Sequence, residues 1–152
     1  TMVVPQGIWE LFFERRDHLI GIQELLAVSL ALGTFAELLE GQKLLCWVDN
    51  MGVVGSLPKG SASHCDANLV IAKTWLKVAA MNVAFAINYV HTKANVADGP
   101  SREDYALVEE LGAVWHEPKL PAYVFDFWEL ATRGEAFDLL ELEHFQAPPS
   151  TG

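Results

Sequence analysis

This sequence predicts an α/β layer fold, and three observations predict it. Leu44-Leu45-Cys46-Trp47-Val48 runs straight into Asp49-Asn50, as a buried strand does when it delivers a carboxylate to its C-terminal end. Val83, Phe85, Ile87 and Tyr89 alternate with smaller residues, the period of a second strand. Apolar residues at three- and four-residue spacing lie before and between these strands. The order is therefore helix, strand, helix, helix, strand, a pattern of alternating layers.

The elements follow in chain order. Pro5 can open a short helix whose apolar face is Ile8, Trp9, Leu11, Phe12 and Phe13, closed by Glu14-Arg15-Arg16-Asp17. His18 to Gly21 reads as a short strand or a linker. Ile22 to Leu39 is the clearest helix: Leu25, Leu26, Leu32, Phe35, Leu38 and Leu39 recur on one side and Gly41 supplies the stop. Glu24 falls in its first turn, where the helix dipole favours a carboxylate on a solvated surface. After the strand at 43–49, residues 50–57 read as a short helix ended by Pro58-Lys59-Gly60-Ser61. Asp66 or Asn68 is placed to cap the next helix, which runs to about Met81 with Leu69, Ala72, Trp75, Leu76 and Ala79 on one face. Glu103 to Leu111 predicts a helix stopped by Gly112.

Charge divides the chain in two. The net charge is −10, and residues 1–102 hold nine acidic and eight basic side chains while residues 103–152 hold eleven and two. The tail alone is hostile to nucleic acid. Its last stretch, from residue 115 on, also carries Trp115, Tyr123, Phe125, Phe127, Trp128, Phe137 and Phe145, seven of the sixteen aromatics. Such a segment reads as an arm that docks on a surface, of its own domain or of a partner. The expected organisation is a core over 1–102 and an acidic, aromatic C-terminal extension over 103–152. Apolar residues make up 51% and the mean hydropathy is +0.20, yet the longest apolar region is broken by Gln23, Glu24, Ser29, Thr34 and Glu37 and reads as no membrane span. No signal-peptide pattern precedes it, and an opening at Thr1 is what a fragment or processed product would show. Cys46 in a strand and Cys65 in a loop, without a CxxC pair, suit buried thiols in a reduced, intracellular compartment.

Three carboxylates stand out by position: Glu24 opening a long helix, Asp49 ending a strand, and Asp98 just after the second strand. Singly, a strand-end Asp is a helix cap or turn former more often than a ligand, and an Asp before Gly-Pro is a turn residue. Their order and surroundings resemble the ribonuclease H-like superfamily, in particular the ribonuclease H domain of retrotransposon reverse transcriptases. The residues that carry the resemblance are Ile22-Gln23-Glu24-Leu25-Leu26-Ala27, Trp47-Val48-Asp49-Asn50, and Tyr89-Val90 followed by Ala94-Asn95-Val96-Ala97-Asp98-Gly99-Pro100-Ser101-Arg102. Leu57-Pro58-Lys59-Gly60-Ser61 and Trp75 add to it, so that it covers about residues 5–102.

The resemblance implies a mixed sheet with flanking helices and a site that cleaves RNA in an RNA–DNA hybrid with two Mg²⁺ ions. Two ions roughly 3.5–4 Å apart clamp the attacking water and the leaving oxygen, and Mg²⁺ takes hard oxygen ligands from rigid elements. Glu24, Asp49 and Asp98 would be the catalytic metal ligands. His91, seven residues before Asp98, is the candidate for proton transfer or product release, and it also suits a plain loop position. Asn50, Lys59, Lys93, Asn95 and Arg102 are candidate hybrid contacts, with Lys73 and Lys77 as further cations.

The family's first catalytic Asp sits on an initial strand well upstream of the helix that carries the glutamate. Only 23 residues precede Glu24, and Glu10, Glu14 and Asp17 among them lie in no strand pattern. The fold is therefore expected to be incomplete at its N-terminus, with an unpaired edge beside the 43–49 strand. A second chain, an upstream segment or the strand-like Ala122-Tyr123-Val124-Phe125-Asp126-Phe127 would fill that slot. An alternative follows: a catalytically inactive descendant, serving as a structural or interaction subunit whose protein partners contact the open edge and the aromatic arm. The tail charge alone also fits a nucleic-acid mimic.

Overall fold

A computed structural model of the chain describes residues 20–119, and its architecture is α/β. Helix α1 (Ile20–Thr34) and a single turn α2 (Ala36–Leu39) precede strand β1 (Lys43–Val48). Helices α3 (Met51–Lys59) and α4 (Cys65–Ala80) then lead to strand β2 (Ala84–Tyr89). A 3₁₀ turn (Thr92–Ala94) and two short helices, α5 (Asp98–Ser101) and α6 (Ala106–Glu110), complete the described chain. The strands pair in parallel, Lys43 opposite Ala84 and Val48 opposite Tyr89. Parallel neighbours need a crossover, and α3 with α4 provides it.

Pairing in this register sorts the side chains by face. Leu44, Cys46 and Val48 share a face with Phe85 and Ile87, and this face packs on the helices. The core beneath it comprises Leu25, Val28 and Leu32 of α1, Val53 and Leu57 of α3, Val70, Ile71 and Val78 of α4, and Met81 and Val83. Trp75 ties three elements together: its indole N–H donates to the Leu57 carbonyl at 2.7 Å and its ring meets Phe85 edge-on at 5.8 Å. The opposite face of the sheet, with Leu45, Trp47, Ala84, Ala86 and Asn88, is exposed.

The helix ends are set by left-handed residues. Gly60 (φ +76°) and Gly112 (φ +71°) close α3 and α6, and Asn82 (φ +51°) closes α4. In each case the N–H one residue further on reaches back five positions, as in Ser61 to Ser56, Ala113 to Val108 and Val83 to Val78. Pro58 sits within the last turn of α3 rather than beyond it. The long helix expected over 22–39 begins earlier, so that Ile20 and Gly21 are helical, neither strand nor linker. It is interrupted at Phe35 (φ −102°, ψ 19°), where Leu38 and Leu39 both donate to the Phe35 carbonyl. Gly33 and Thr34 are weak helix formers, and the Thr34 hydroxyl accepts from the Lys119 amide at 3.0 Å.

Four further expectations are corrected. Neither Asp66 nor Asn68 caps α4; His64 stands at the cap, Asp66 is in the first turn, and the Asn68 side chain accepts from the Ala62 N–H at 2.6 Å. Cys65 opens that helix rather than lying in a loop. The buried stripe of α4 is Val70, Ile71, Thr74, Val78 and then Met81, whereas Ala72 and Ala79 are exposed. Thr74 can be buried because its hydroxyl donates to the Val70 carbonyl at 2.7 Å. The helix expected from Glu103 begins at Ala106, since Glu103 itself has φ +63° and cannot enter it. The strands that would make the sheet mixed are not among the described residues, and the expected helix over 8–13 and strand-like run at 122–127 lie outside them.

Ile71, 1% exposed, and exposed Ala72 test which face of α4 is inside. Ile71→Ala is expected to cost about 2–5 kcal/mol, and Ala72→Ser no more than about 0.5 kcal/mol. Urea unfolding followed by far-UV circular dichroism reads both.

Candidate active site

Strand β1 ends at Val48, and the chain bends at Asp49 before α3 begins. Asn50 is the N-cap of α3: its side-chain oxygen accepts from the Gly52 N–H at 2.8 Å and the Val53 N–H at 3.4 Å. The other end of the same side chain faces α1. It hydrogen-bonds the Glu24 carboxyl, and its Nδ2 lies 3.9 Å from where a Cβ on Gly21 would stand. One asparagine thus fixes the start of α3 and the approach of α1, with Asp49 held beside it.

Glu24 is the fifth residue of α1, in its second turn and half-buried, rather than a first-turn surface residue. Its Oε2 is buried with no hydrogen-bond partner among the described residues. Burial pushes the carboxyl above its ordinary range, the Asn50 hydrogen bond draws it back down, and the nearby Asp49 charge pushes it up. Glu24 on α1 is therefore tied to Asn50 and lies within reach of the Asp49 charge at the end of β1, although the two acids are 25 positions apart in sequence.

Asp98, His91 and Asn95 follow β2 and leave the sheet at the same end, because the strands are parallel and the Val90 N–H donates to the Val48 carbonyl at 3.0 Å. The Asp98 carboxylate pairs with Arg102 at 3.2 Å, four residues on. The Ser101 hydroxyl donates to the Asp98 carbonyl at 2.7 Å. A Cβ on Gly99 would stand 2.8 Å from the Asp104 carbonyl oxygen, so only glycine fits that turn. His91 is exposed, and its Nδ1 accepts from the Lys93 N–H at 3.3 Å. The Asn95 side chain accepts from the Ala97 N–H at 3.1 Å. Among the described residues, no group of three His, Cys, Asp or Glu side chains stands close enough to hold a metal ion.

Of the candidate cations, Lys59, Lys77, Lys93 and Arg102 are exposed and Lys73 is half-buried. Lys59 stands on the wall of a cavity of about 690 Å³ between the start of α1, helix α3 and the loop into α4. Ser56, Ser61, Ser63 and His64 share that wall. Ser56, Ser63 and His64 were not singled out from the sequence, although a run of small polar residues after the Gly60 stop is a signal for such a pocket. Cys46 is free and half-buried, and burial raises its thiol pKa, which leaves it poorly nucleophilic. No described helix is long and apolar enough to cross a membrane.

The raised Glu24 pKa has a sign that can be checked. The folded state favours the protonated carboxyl, so the group's contribution to stability is full below its ordinary value of 4.5 and is lost as the pH rises through its higher folded value. Glu24→Gln removes that loss. It is expected to raise the Tm at pH 7 by roughly 2–4 °C, with the gain vanishing below pH 4.5, as thermal melts across pH 3–8 would record. Compared with known proteins, the chain matches no family model, no curated protein and no solved structure, so the site is read from its own residues.

Proposed function

We infer that this chain is a ribonuclease H-like module of retroelement origin, which hydrolyses the RNA strand of RNA–DNA hybrids once its sheet is completed by a further strand. The observation that carries this reading is the meeting of Glu24 with Asp49 at the end of β1, with Asn50 pinned between α1 and α3. A carboxylate oxygen that is buried without a partner among the described residues, near a second carboxylate, is costly in a fold that has no use for it. Hard oxygen donors of this kind fit Mg²⁺. Glu24 and Asp49 would hold the ion, and Asp98, emerging from the same end of the sheet, would join them.

Bound there, divalent ions supply charge neutralisation and an activated water for phosphodiester hydrolysis. The protein's own part is positioning. Asn50 orients Glu24, the bend after Val48 fixes Asp49, and the Gly99 turn holds Asp98 on a compact loop. Lys59, Ser61 and Ser63, on the wall of the adjoining cavity, offer a cation and hydroxyls to a phosphate backbone, with Lys93 and Asn95 at the end of the other strand.

A second reading has its own observation. Asp98 is neutralised by Arg102, and the outer face and free edge of the sheet are apolar, which suits an inactive descendant held as a structural subunit by protein partners.

Two measurements separate the readings. Mn²⁺ titrated into the chain should broaden the amide resonances of Glu24, Asp49 and Asn50, and Asp49→Asn should remove the effect. With Mg²⁺, a labelled RNA–DNA hybrid and the strand that completes the sheet supplied, cleavage should fall roughly 100-fold or more in the same variant. Neither broadening nor cleavage, together with stable incorporation of the chain in a larger complex, would leave the structural reading standing and the enzymatic one refuted.

A further inference from the structure

The outward edge of β1 has a polarity and a centre that its pairing with β2 assigns. The Gln42 and Val48 carbonyls accept from the Ala84 and Val90 N–H groups at 2.9 and 3.0 Å. Successive peptide groups of a strand point to opposite sides, so Leu44 and Cys46 also bond towards β2. Lys43, Leu45 and Trp47 direct their N–H and C=O groups away from it, where no strand lies among the described residues. Leu45 is the midpoint of these three. Leu45 and Trp47 are 50% and 54% exposed, and Leu38 is 69% exposed. An apolar groove of about 400 Å³ runs along this edge, walled by Leu45 and Trp47 and by Ala31, Phe35 and Leu38 on the helix side.

We propose that this edge is a homodimer contact. The β1 strands of two copies pair antiparallel about a two-fold axis at Leu45 and join the two sheets into one of four strands. The edge is self-complementary about that axis. Leu45 exchanges both of its outward backbone hydrogen bonds with Leu45 of the second copy, and Lys43 does the same with Trp47 of the second copy. Symmetry repeats the second pair, so every outward group of the three residues is used. The side chains match as well. Lys43 is the one charged residue in Lys43–Val48, and the pairing sets its ammonium beside the exposed Trp47 ring of the other copy, whose face attracts a cation. The same two edges paired in parallel would set Lys43 beside Lys43 and place the helical layers on opposite faces.

Antiparallel pairing also brings the two grooves together. Both helical layers then lie on one side of the joined sheet, with Ala31 and Leu38, exposed in a single copy, facing the seam. Beneath them Leu44 of each copy stands opposite Cys46 of the other on the inner face. β1 carries none of the usual devices against such pairing. It holds no proline, its register with β2 is unbroken, and its single charge sits at one end, opposite an aromatic ring. Four strands with one face covered also lie within the range of stable sheets, which two strands do not. The contact uses none of Glu24, Asp49 and Asp98, so it stands or falls apart from the chemistry proposed for them.

Sedimentation equilibrium of the full-length chain, from low to several hundred micromolar, tests this. A monomer–dimer equilibrium is expected. Leu45→Lys, which sets two ammonium groups face to face on the axis, should raise the dissociation constant roughly 100-fold. Amide hydrogen exchange read by NMR should show Lys43, Leu45 and Trp47 gaining protection as the concentration rises. A monomer at every concentration would overturn the proposal, as would a dimer of unchanged affinity in Leu45→Lys. Protection of the three amides that ignores concentration would overturn it too, because it marks a segment of the same chain on the edge. If Leu45→Lys unfolds the chain, cross-linking in a Cys46→Ser, Cys65→Ser background decides instead. Leu45→Cys places two thiols on directly opposed residues, with Cα atoms about 5.5 Å apart, and should give a disulfide-linked dimer on mild oxidation. Lys43→Cys lies more than about 13 Å from its counterpart and should not. No link through position 45, or an equal yield through position 43, would overturn the antiparallel contact.

Discussion

The parallel pairing of β1 with β2 is the constraint on which the rest of the described structure depends. Parallel strands cannot be joined by a tight turn, so the chain must leave the sheet, and α3 and α4 are the route it takes. Those helices, with α1, cover one face and create the core of Leu25, Leu32, Leu57 and Ile71. Two strands alone make a marginal sheet, and the outer face with Leu45 and Trp47 shows why: half of the apolar surface of β1 has no cover among the described residues. Closing α3 and α4 with left-handed Gly60 and Asn82 keeps the crossover short enough to return to this register.

Parallel pairing also decides where chemistry can collect. Both strands end on the same side, so Asp49 and the segment from His91 to Asp98 leave the sheet together. Asn50 then links the sheet end to α1 by spending its oxygen on the α3 cap and its amide on Glu24. Replacing it would loosen a helix start and release a half-buried carboxylate at once. This economy explains how Glu24 can be retained at a position where burial works against its charge. The stability lost there is the kind of local strain that sites hold and cores offset.

Much of this was legible in the sequence, and what was not has identifiable causes. The run from Leu44 into Asp49 and the alternation from Val83 to Tyr89 placed both strands, because a period of two leaves little ambiguity. The α/β architecture follows from that order, whereas a ribonuclease H-like fold remains a reading of motifs. The stripe of α4 was misplaced because the buried Ile71, Thr74, Val78 and Met81 keep the same spacing as Leu69, Ala72, Leu76 and Ala79, and the polar Thr74 disguised the buried set. Glu24 was read as a first-turn surface acid because nothing local showed that α1 begins at Ile20. For the site, Glu24 and Asp49 were named and stand together. The linking role of Asn50 was not foreseen, since a residue acting on two elements at once leaves no trace in spacing.

The three carboxylates differ in what it would take to recruit them, and that difference orders the site. Glu24 carries a buried oxygen with no hydrogen-bond partner among the described residues, so any cation that reaches it relieves an existing cost. Asp98 is already paired, but with an arginine whose side chain is 71% exposed, while its own is 32% exposed. Ion pairs so open to water contribute about 0–1 kcal/mol, and a divalent ion or a phosphate competing for either partner could displace them at little cost. The loop that carries Asp98 is fixed less by that pair than by the Gly99 approach to Asp104 and the Ser101 hydrogen bond. Its carboxylate can therefore turn without the backbone moving. In the proposed site Glu24 and Asp49 would then be the fixed seat and Asp98 the adjustable member.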